Sequence, residues 1–291
     1  MQVKTLALAT TSLVALGLAV APAAQAAGPA PMMGRVDIDF SHYWDDFGSE
    51  GSSFEDEYVT WQGIGRVNIP VDELHIFQVD IWGGYSLDDG DGRDQFGNAG
   101  AGVHFGHRDP EFYLGVFGAL GRANSLGDWS GINQVAGFEG QWLCERFTIY
   151  PQIGYWDSHF GDGLLGNAGF ARLELRFYPQ DRTKITGAVK YIDGEVGNGS
   201  SSEVDSDGWD GVVRVDHMMG RGWVAVFAEV GFRSSETHWS WGDEELDVTR
   251  ANVGFTFYLG GPDTPSLIYH DRNGVALSSP DPDELRVPYS D

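Results

Sequence analysis

Between Ala171 and Tyr191 polar and apolar positions alternate with a period of two, reverse, and alternate again. Ala171, Leu173, Leu175 and Phe177 fall on one side, and Arg172, Glu174, Arg176 and Tyr178 on the other, as successive residues of a strand must. After the turn at Pro179-Gln180-Asp181-Arg182-Thr183, Ile185, Val189 and Tyr191 continue the apolar side, and Thr186 and Lys190 the polar one. The apolar side is free of charge for some ten residues while the other carries several charges. That pattern predicts strands with hydrocarbon outside and water or ion pairs inside.

The same rhythm marks ten further strands, at 35–44, 58–69, 74–87, 98–107, 112–121, 133–143, 147–156, 209–217, 223–233 and 250–259. Together with the two above they make twelve, each of roughly the length a tilted strand needs to cross a bilayer. In 35–44, Val36, Ile38 and Phe40 oppose Asp37, Asp39 and Ser41; in 250–259, Ala251, Val253, Phe255, Phe257 and Leu259 face outward. Both faces of 112–121 are apolar, and Pro151, which has no N–H to donate, predicts irregular pairing in 147–156. The fold class is therefore all-β, an antiparallel up-and-down transmembrane barrel of about twelve strands.

The connections alternate in length. Short turns fall at 70–73, 108–111, 144–146, 179–183 and 218–222, and long loops at 45–57, 87–96, 122–131, 157–166, 194–208 and 234–245. Short turns at one rim and long loops at the other are the habit of membrane barrels, and an even strand count puts both termini at the short-turn rim. Acid follows the same division. The long loops carry runs such as Glu55-Asp56-Glu57 and Asp243-Glu244-Glu245, while Arg108, Arg146, Arg182 and Arg221 sit in the short turns.

Composition narrows the picture. A net charge of −25 argues against nucleic acid as a partner, and the single Cys144 excludes an internal disulfide. Lys4, the apolar run 6–20 and Ala24-Gln25-Ala26 form a secretory leader, so residues 1–26 are expected to be removed. Residues 27–34 then form an N-terminal lead, 35–259 the barrel and 260–291 a flexible C-terminal tail in the periplasm, on its Pro- and Asp-bearing composition. Within that tail Ser266-Leu267-Ile268-Tyr269 is the stretch able to dock on the barrel or on a periplasmic partner.

From 35 to 259 the chain resembles Gram-negative outer-membrane β-barrels of the porin-like type, by architecture. Asn252-Val253-Gly254-Phe255-Thr256-Phe257-Tyr258-Leu259 is similar to their last-strand insertion signal, a polar residue, then glycine, an aromatic and a final hydrophobic, here Asn252, Gly254, Phe257 and Leu259. The resemblance implies an outer-membrane location. It also implies outer-membrane lipid, lipopolysaccharide and the barrel insertion machinery as partners, and small solutes or ions as cargo. It departs from the family habit in continuing past the signal strand.

The inward face collects Arg66, Asp80, His104, Glu139, Gln141, Arg172, Glu174, Arg176, Lys190, Arg214, Asp216, Glu229, Arg233 and Arg250, charges able to line a hydrated path or pair across it. Trp82, Phe117, Tyr150, Trp156, Tyr178, Trp223 and Phe227 are expected inside as well, narrowing the bore. The acidic runs Asp88-Asp89-Gly90-Asp91-Gly92 and Asp205-Ser206-Asp207-Gly208 lack the spacing of a helix-loop-helix calcium site, so no metal or other cofactor is expected. His238 and Ser240 are a weak catalytic candidate, since an imidazole two residues from a hydroxyl occurs in outer-membrane lipid hydrolases; Trp241 stands where those have Asn. The functional expectation is a narrow porin-like diffusion channel and not an enzyme. Its alternatives are a surface-interaction protein without transport or a lipid-modifying hydrolase.

Overall fold

The computed structural model of the chain describes residues 32–49, 52–87, 97–124, 130–159, 165–197, 203–220, 222–239, 242–260, 266–274 and 277–279. The leader, most of the N-terminal lead and the acidic run at 88–92 lie outside the described residues. Twelve strands are present: β1 Met33–Ser49, β2 Ser52–Pro70, β3 His75–Leu87, β4 Gly97–Arg108, β5 Phe112–Asn124, β6 Ser130–Cys144, β7 Phe147–His159, β8 Leu165–Gln180, β9 Thr183–Gly197, β10 Glu203–Met219, β11 Val224–Trp239 and β12 Gly242–Leu259. Each pairs antiparallel with its neighbours in sequence, and β1 pairs with β12 from Gly34–Leu259 to Ser49–Glu244, closing the barrel. Closure removes the sheet edge, and so leaves no unpaired row of backbone groups facing lipid.

Alternation decides which way each side chain points. Leu114, Phe138, Ile153 and Val253 are each 60% or more exposed on the outer wall, while Asp80, His104, Glu139, Gln141 and Asp216 are buried in the lumen. Pro151 keeps register with Leu173 of β8; the ladder to β6 is interrupted opposite it, between the pairs Glu139–Gln152 and Trp142–Ile149. In β5, Tyr113, Phe117 and Ala119 point in and Leu114, Val116 and Leu120 out, so two apolar faces there mean a filled lumen.

Three of the expected long loops are largely strand. The β1–β2 ladder runs on to Ser49–Ser52, β9–β10 to Gly197–Glu203 and β11–β12 to Trp239–Gly242, so the acidic stretches at 45–57, 194–208 and 234–245 form β-ribbons rising from the rim. The alternation inverts along β12. Ala251, Val253 and Phe255 point outward below Arg250, but above it Asp243, Glu245 and Asp247 are the exposed residues and Leu246 and Val248 the buried ones. The medium around the barrel changes from hydrocarbon to water near Thr249, and outward Trp44, Tyr191 and Trp209 mark the same level as an aromatic girdle.

One inward aromatic is displaced. Trp223 is 60% exposed and lies outside, its ring tilted against Phe257, because the turn at Gly220 and Gly222, both with positive φ, breaks the parity before β11 begins. The other six expected inward aromatics are buried, several over glycine. The Trp82 ring covers Gly100, where a Cβ would stand 2.2 Å from it, and Phe227 covers Gly254 at 2.5 Å. Gly100→Val should therefore lower the stability of the refolded barrel by about 1–3 kcal/mol, read as a lower urea midpoint with unchanged m.

Candidate functional site in the lumen

Inward positions two apart on one strand place side chains one above the other, and the lumen uses this to stack ion pairs. On β1, Arg35 donates to Asp37 at 2.9 Å; Asp37 also accepts from Arg66 of β2 and Thr256 of β12, both at 2.5 Å, and lies 3.6 Å from Arg214 of β10. Arg214 donates to Asp216 of its own strand at 2.7 Å. On β8, Glu174 accepts from Arg172 and Arg176 on either side of it. Burial makes each charge costly alone, so these pairs are retained only because every carboxylate is met by donors.

A second knot centres on Glu139 of β6. It accepts from Tyr113 at 2.9 Å and Tyr150 at 2.6 Å, and lies 2.9 Å from His104 Nδ1. His104 Nε2 faces both Asp80, at 3.3 Å, and Ser279 Oγ, at 3.0 Å. A hydroxyl, imidazole and carboxylate in this order have the spacing of a nucleophilic relay. Ser279 Oγ also donates to Asp80 at 3.1 Å, and its backbone N–H donates to the same carboxylate, so the imidazole and Asp80 together anchor Ser279.

Ser279 belongs to the tail, which over its described residues, 266–274 and 277–279, is not the loose appendage its composition predicts. Ser266 caps a helix α1, Leu267–Asn273, and the stretch singled out as able to dock does so: Leu267 N donates to Asp181 O of the β8–β9 turn, and Leu267 packs buried against Tyr178, Met218, Ala225 and Tyr258. Asp271 accepts from Tyr178 at 2.6 Å and sits 3.5 Å from Lys184 and 3.8 Å from Arg176. Burial opposes its ionisation, but Lys184 and Arg176 outweigh that and hold the carboxyl below the usual carboxylate range. Residues 277–279 lie further in. Leu277 is buried with Ile76, Tyr113 and Tyr150, its carbonyl accepts from Gln78, and the Ser278 carbonyl accepts from Gln152. Among the described residues, the tail occupies the short-turn end of the lumen.

Above it lies a cavity of about 230 Å³, floored by Leu277, Ser278 and Ser279. Eight basic residues line it, Arg35, Arg66, Arg172, Arg176, Lys184, Arg214, Arg233 and Arg250, against four acidic ones, Asp39, Asp45, Glu174 and Glu229. Arg250 approaches Asp210 at 3.7 Å and Glu229 at 3.7 Å, and Arg233 approaches Asp210 at 3.6 Å. Lys190 stands opposite Asp210 in the ladder.

All twelve expected lumen charges thus lie on the inward face, most of them in these networks. Lys184 and Asp271 escaped the sequence reading. The parity of Thr186 and Lys190 assigns Lys184 to the inward face, whereas Asp271 follows no strand period and gave no signal. Of the insertion-signal residues, Asn252 and Gly254 point inward and Phe257 and Leu259 outward. His238 is exposed on the ribbon, with Nδ1 3.1 Å from Asp243; Ser240 lies outside the described residues. Glu236, His238 and Asp243 are close enough to share an ion, and all three are exposed.

No profile of a known protein family matches the chain, and no curated protein resembles it in sequence. In structure it is similar to the COG4313 outer membrane channel from Pseudomonas putida F1, with a TM-score of 0.54 at 12% identity over 82% of this chain and 99% of that one. The KdgM porin in complex with disordered oligogalacturonate gives 0.46 at 9% identity, covering 75% of this chain and 98% of that one. The TodX monoaromatic hydrocarbon channel deltaS2 mutant gives 0.47 at 8%, covering 84% and 94%.

Proposed function

We propose that this chain, an outer-membrane β-barrel of the Gram-negative type, is a narrow channel for small solutes whose periplasmic end is closed by its own C-terminal segment. The observation that carries the reading is the polar cavity inside the barrel, walled by charged side chains and floored by Leu277, Ser278 and Ser279. A lumen built only for stability would be filled to packing density by side chains from the strands, and a chain-terminal filler would be superfluous. Here the filler is a separate segment seated by two apolar residues, Leu267 and Leu277, and otherwise held by hydrogen bonds and ion pairs, contacts that can be exchanged for water.

The test is electrical. Pure refolded protein in planar bilayers is expected to give brief, small current steps, and lasting ones once the segment is removed. Silence from both the full and the shortened chain would overturn the channel reading.

The acidic ribbons favour a second reading, a surface-interaction protein without transport. It predicts that deleting the β11–β12 ribbon above Ser234 abolishes binding to a surface partner and leaves insertion unchanged.

A further inference from the structure

Counted over the whole lumen, positive and negative side chains nearly cancel, but they do not lie at the same depth. Asp37, Asp80 and Asp216 are short, and their side chains keep 3% or less of their exposure; Arg172 and Arg214 keep 16% and Arg250 13%, and of the acids the longer Glu229 reaches as far, at 15%. At alternate inward positions a short acid stays near the wall while a long guanidinium reaches past it towards the water. The surface a solute meets is therefore more positive than the inventory of residues.

The excess is also one-sided. Arg172, Arg214, Arg233 and Arg250 come from β8, β10, β11 and β12, one continuous arc of wall, and Asp210 on that arc lies in the field of Lys190, Arg250, Arg233 and Arg172 together. Facing them across the cavity, β1–β4 contribute Tyr43, Tyr58, Thr60, Gln62 and Asn98, which are uncharged donors and acceptors, and two basic residues, Arg35 and Arg66, against two acidic ones, Asp39 and Asp45, so that side carries no excess. Guanidinium forks match the geometry of carboxylate and phosphate oxygens, and a cavity partly shielded from bulk water strengthens that attraction.

We infer that the lumenal cavity is a binding site for a small oxyanion, a carboxylate or phosphate, held by the Arg172, Arg214, Arg233 and Arg250 wall. This rests on the channel reading only for the oxyanion being cargo; the site itself stands on the charge geometry. At roughly 30 Å³ per water molecule the cavity holds a solute of monosaccharide size or smaller.

The experiment is calorimetric titration of the full refolded chain in neutral detergent at low salt with sodium phosphate and, separately, sodium gluconate, which distinguish the two oxyanions. At least one should bind saturably, and binding should weaken tenfold or more in the Arg233→Gln/Arg250→Gln double variant. Arg146→Gln, which alters an exposed pair with Asp181 at the periplasmic turn, should bind as the parent does. Asp210→Asn removes the competing carboxylate and should tighten binding, a gain that a merely structural role for these residues would not produce and a readout that survives if the double variant fails to fold. The inference is overturned if neither anion binds the parent, or if Asp210→Asn fails to tighten binding. Binding without any current steps would instead sink the channel reading and leave the site.

Discussion

A chain ending at Gly260 should conduct several times more current per channel than the full chain, with longer openings. The full-length lumen is obstructed at its short-turn end by α1 and by Leu277–Ser279, which together occupy the space between Tyr178, Tyr150, Gln78 and Asp80. Removing them exposes groups that water can satisfy, so the cost falls on the segment's own contacts and not on the strand ladders. Asp271 offers a gentler route to the same state. Its carboxyl is held below its ordinary pKa by Lys184 and Arg176, so its contribution is complete above the unfolded value near 4 and is lost as pH falls through the folded one. Asp271→Asn should therefore open the lumen part-way at neutral pH, where the parent opens only in acid. Equal conductance of the full and shortened chains at every pH would show that the segment does not obstruct the path.

Asp37→Ala is expected to cost about 3–5 kcal/mol of stability in detergent, the largest loss for any single lumenal change. Asp37 joins β1 to Arg66 of β2, to Thr256 of β12 and to Arg214 of β10, so it bridges the strand pair at which the barrel closes. Its removal leaves Arg35, Arg66 and Arg214 crowded together in a buried layer with one carboxylate fewer. Urea unfolding followed by heat-modifiability on gels measures the loss. Adding Arg214→Met to the variant should recover part of it, because a second change that removes the stranded cation is not independent of the first. A loss below about 1 kcal/mol would mean that water, not Asp37, neutralises those arginines.

The barrel was legible because a strand between lipid and lumen has to alternate, and Arg172 to Tyr178 or Ala251 to Leu259 display that alternation without interruption. It faded where the constraint fades. Above Thr249 the outside of β12 is water, so Asp243 and Glu245 read as part of an irregular acidic loop although they continue the same strand. The tail was opaque for a related reason. Its Pro- and Asp-bearing composition is that of a solvated segment, and the lumen it enters is itself polar, so Asp271 could be buried, and Ser278 and Ser279 half-buried, without any apolar period to announce it. Only Ser266 and the apolar Leu267 and Ile268 hinted at the short helix. Trp223 was misplaced because parity carries through a strand but not through a turn containing two positive-φ glycines.

The length of the strands has a last consequence. β2 has 19 residues, and at ~3.3 Å per residue and a tilt near 40° it climbs roughly 48 Å, about twice the ~25 Å band that lipid tails cover. Close to half of that height stands clear of the bilayer, and on it the described outward side chains include the carboxylates of Asp46, Glu55, Glu57, Asp243, Glu245 and Asp247. A charged solute approaching that rim meets these carboxylates before it reaches the basic wall of the cavity, so cations are concentrated at the mouth and anions are not.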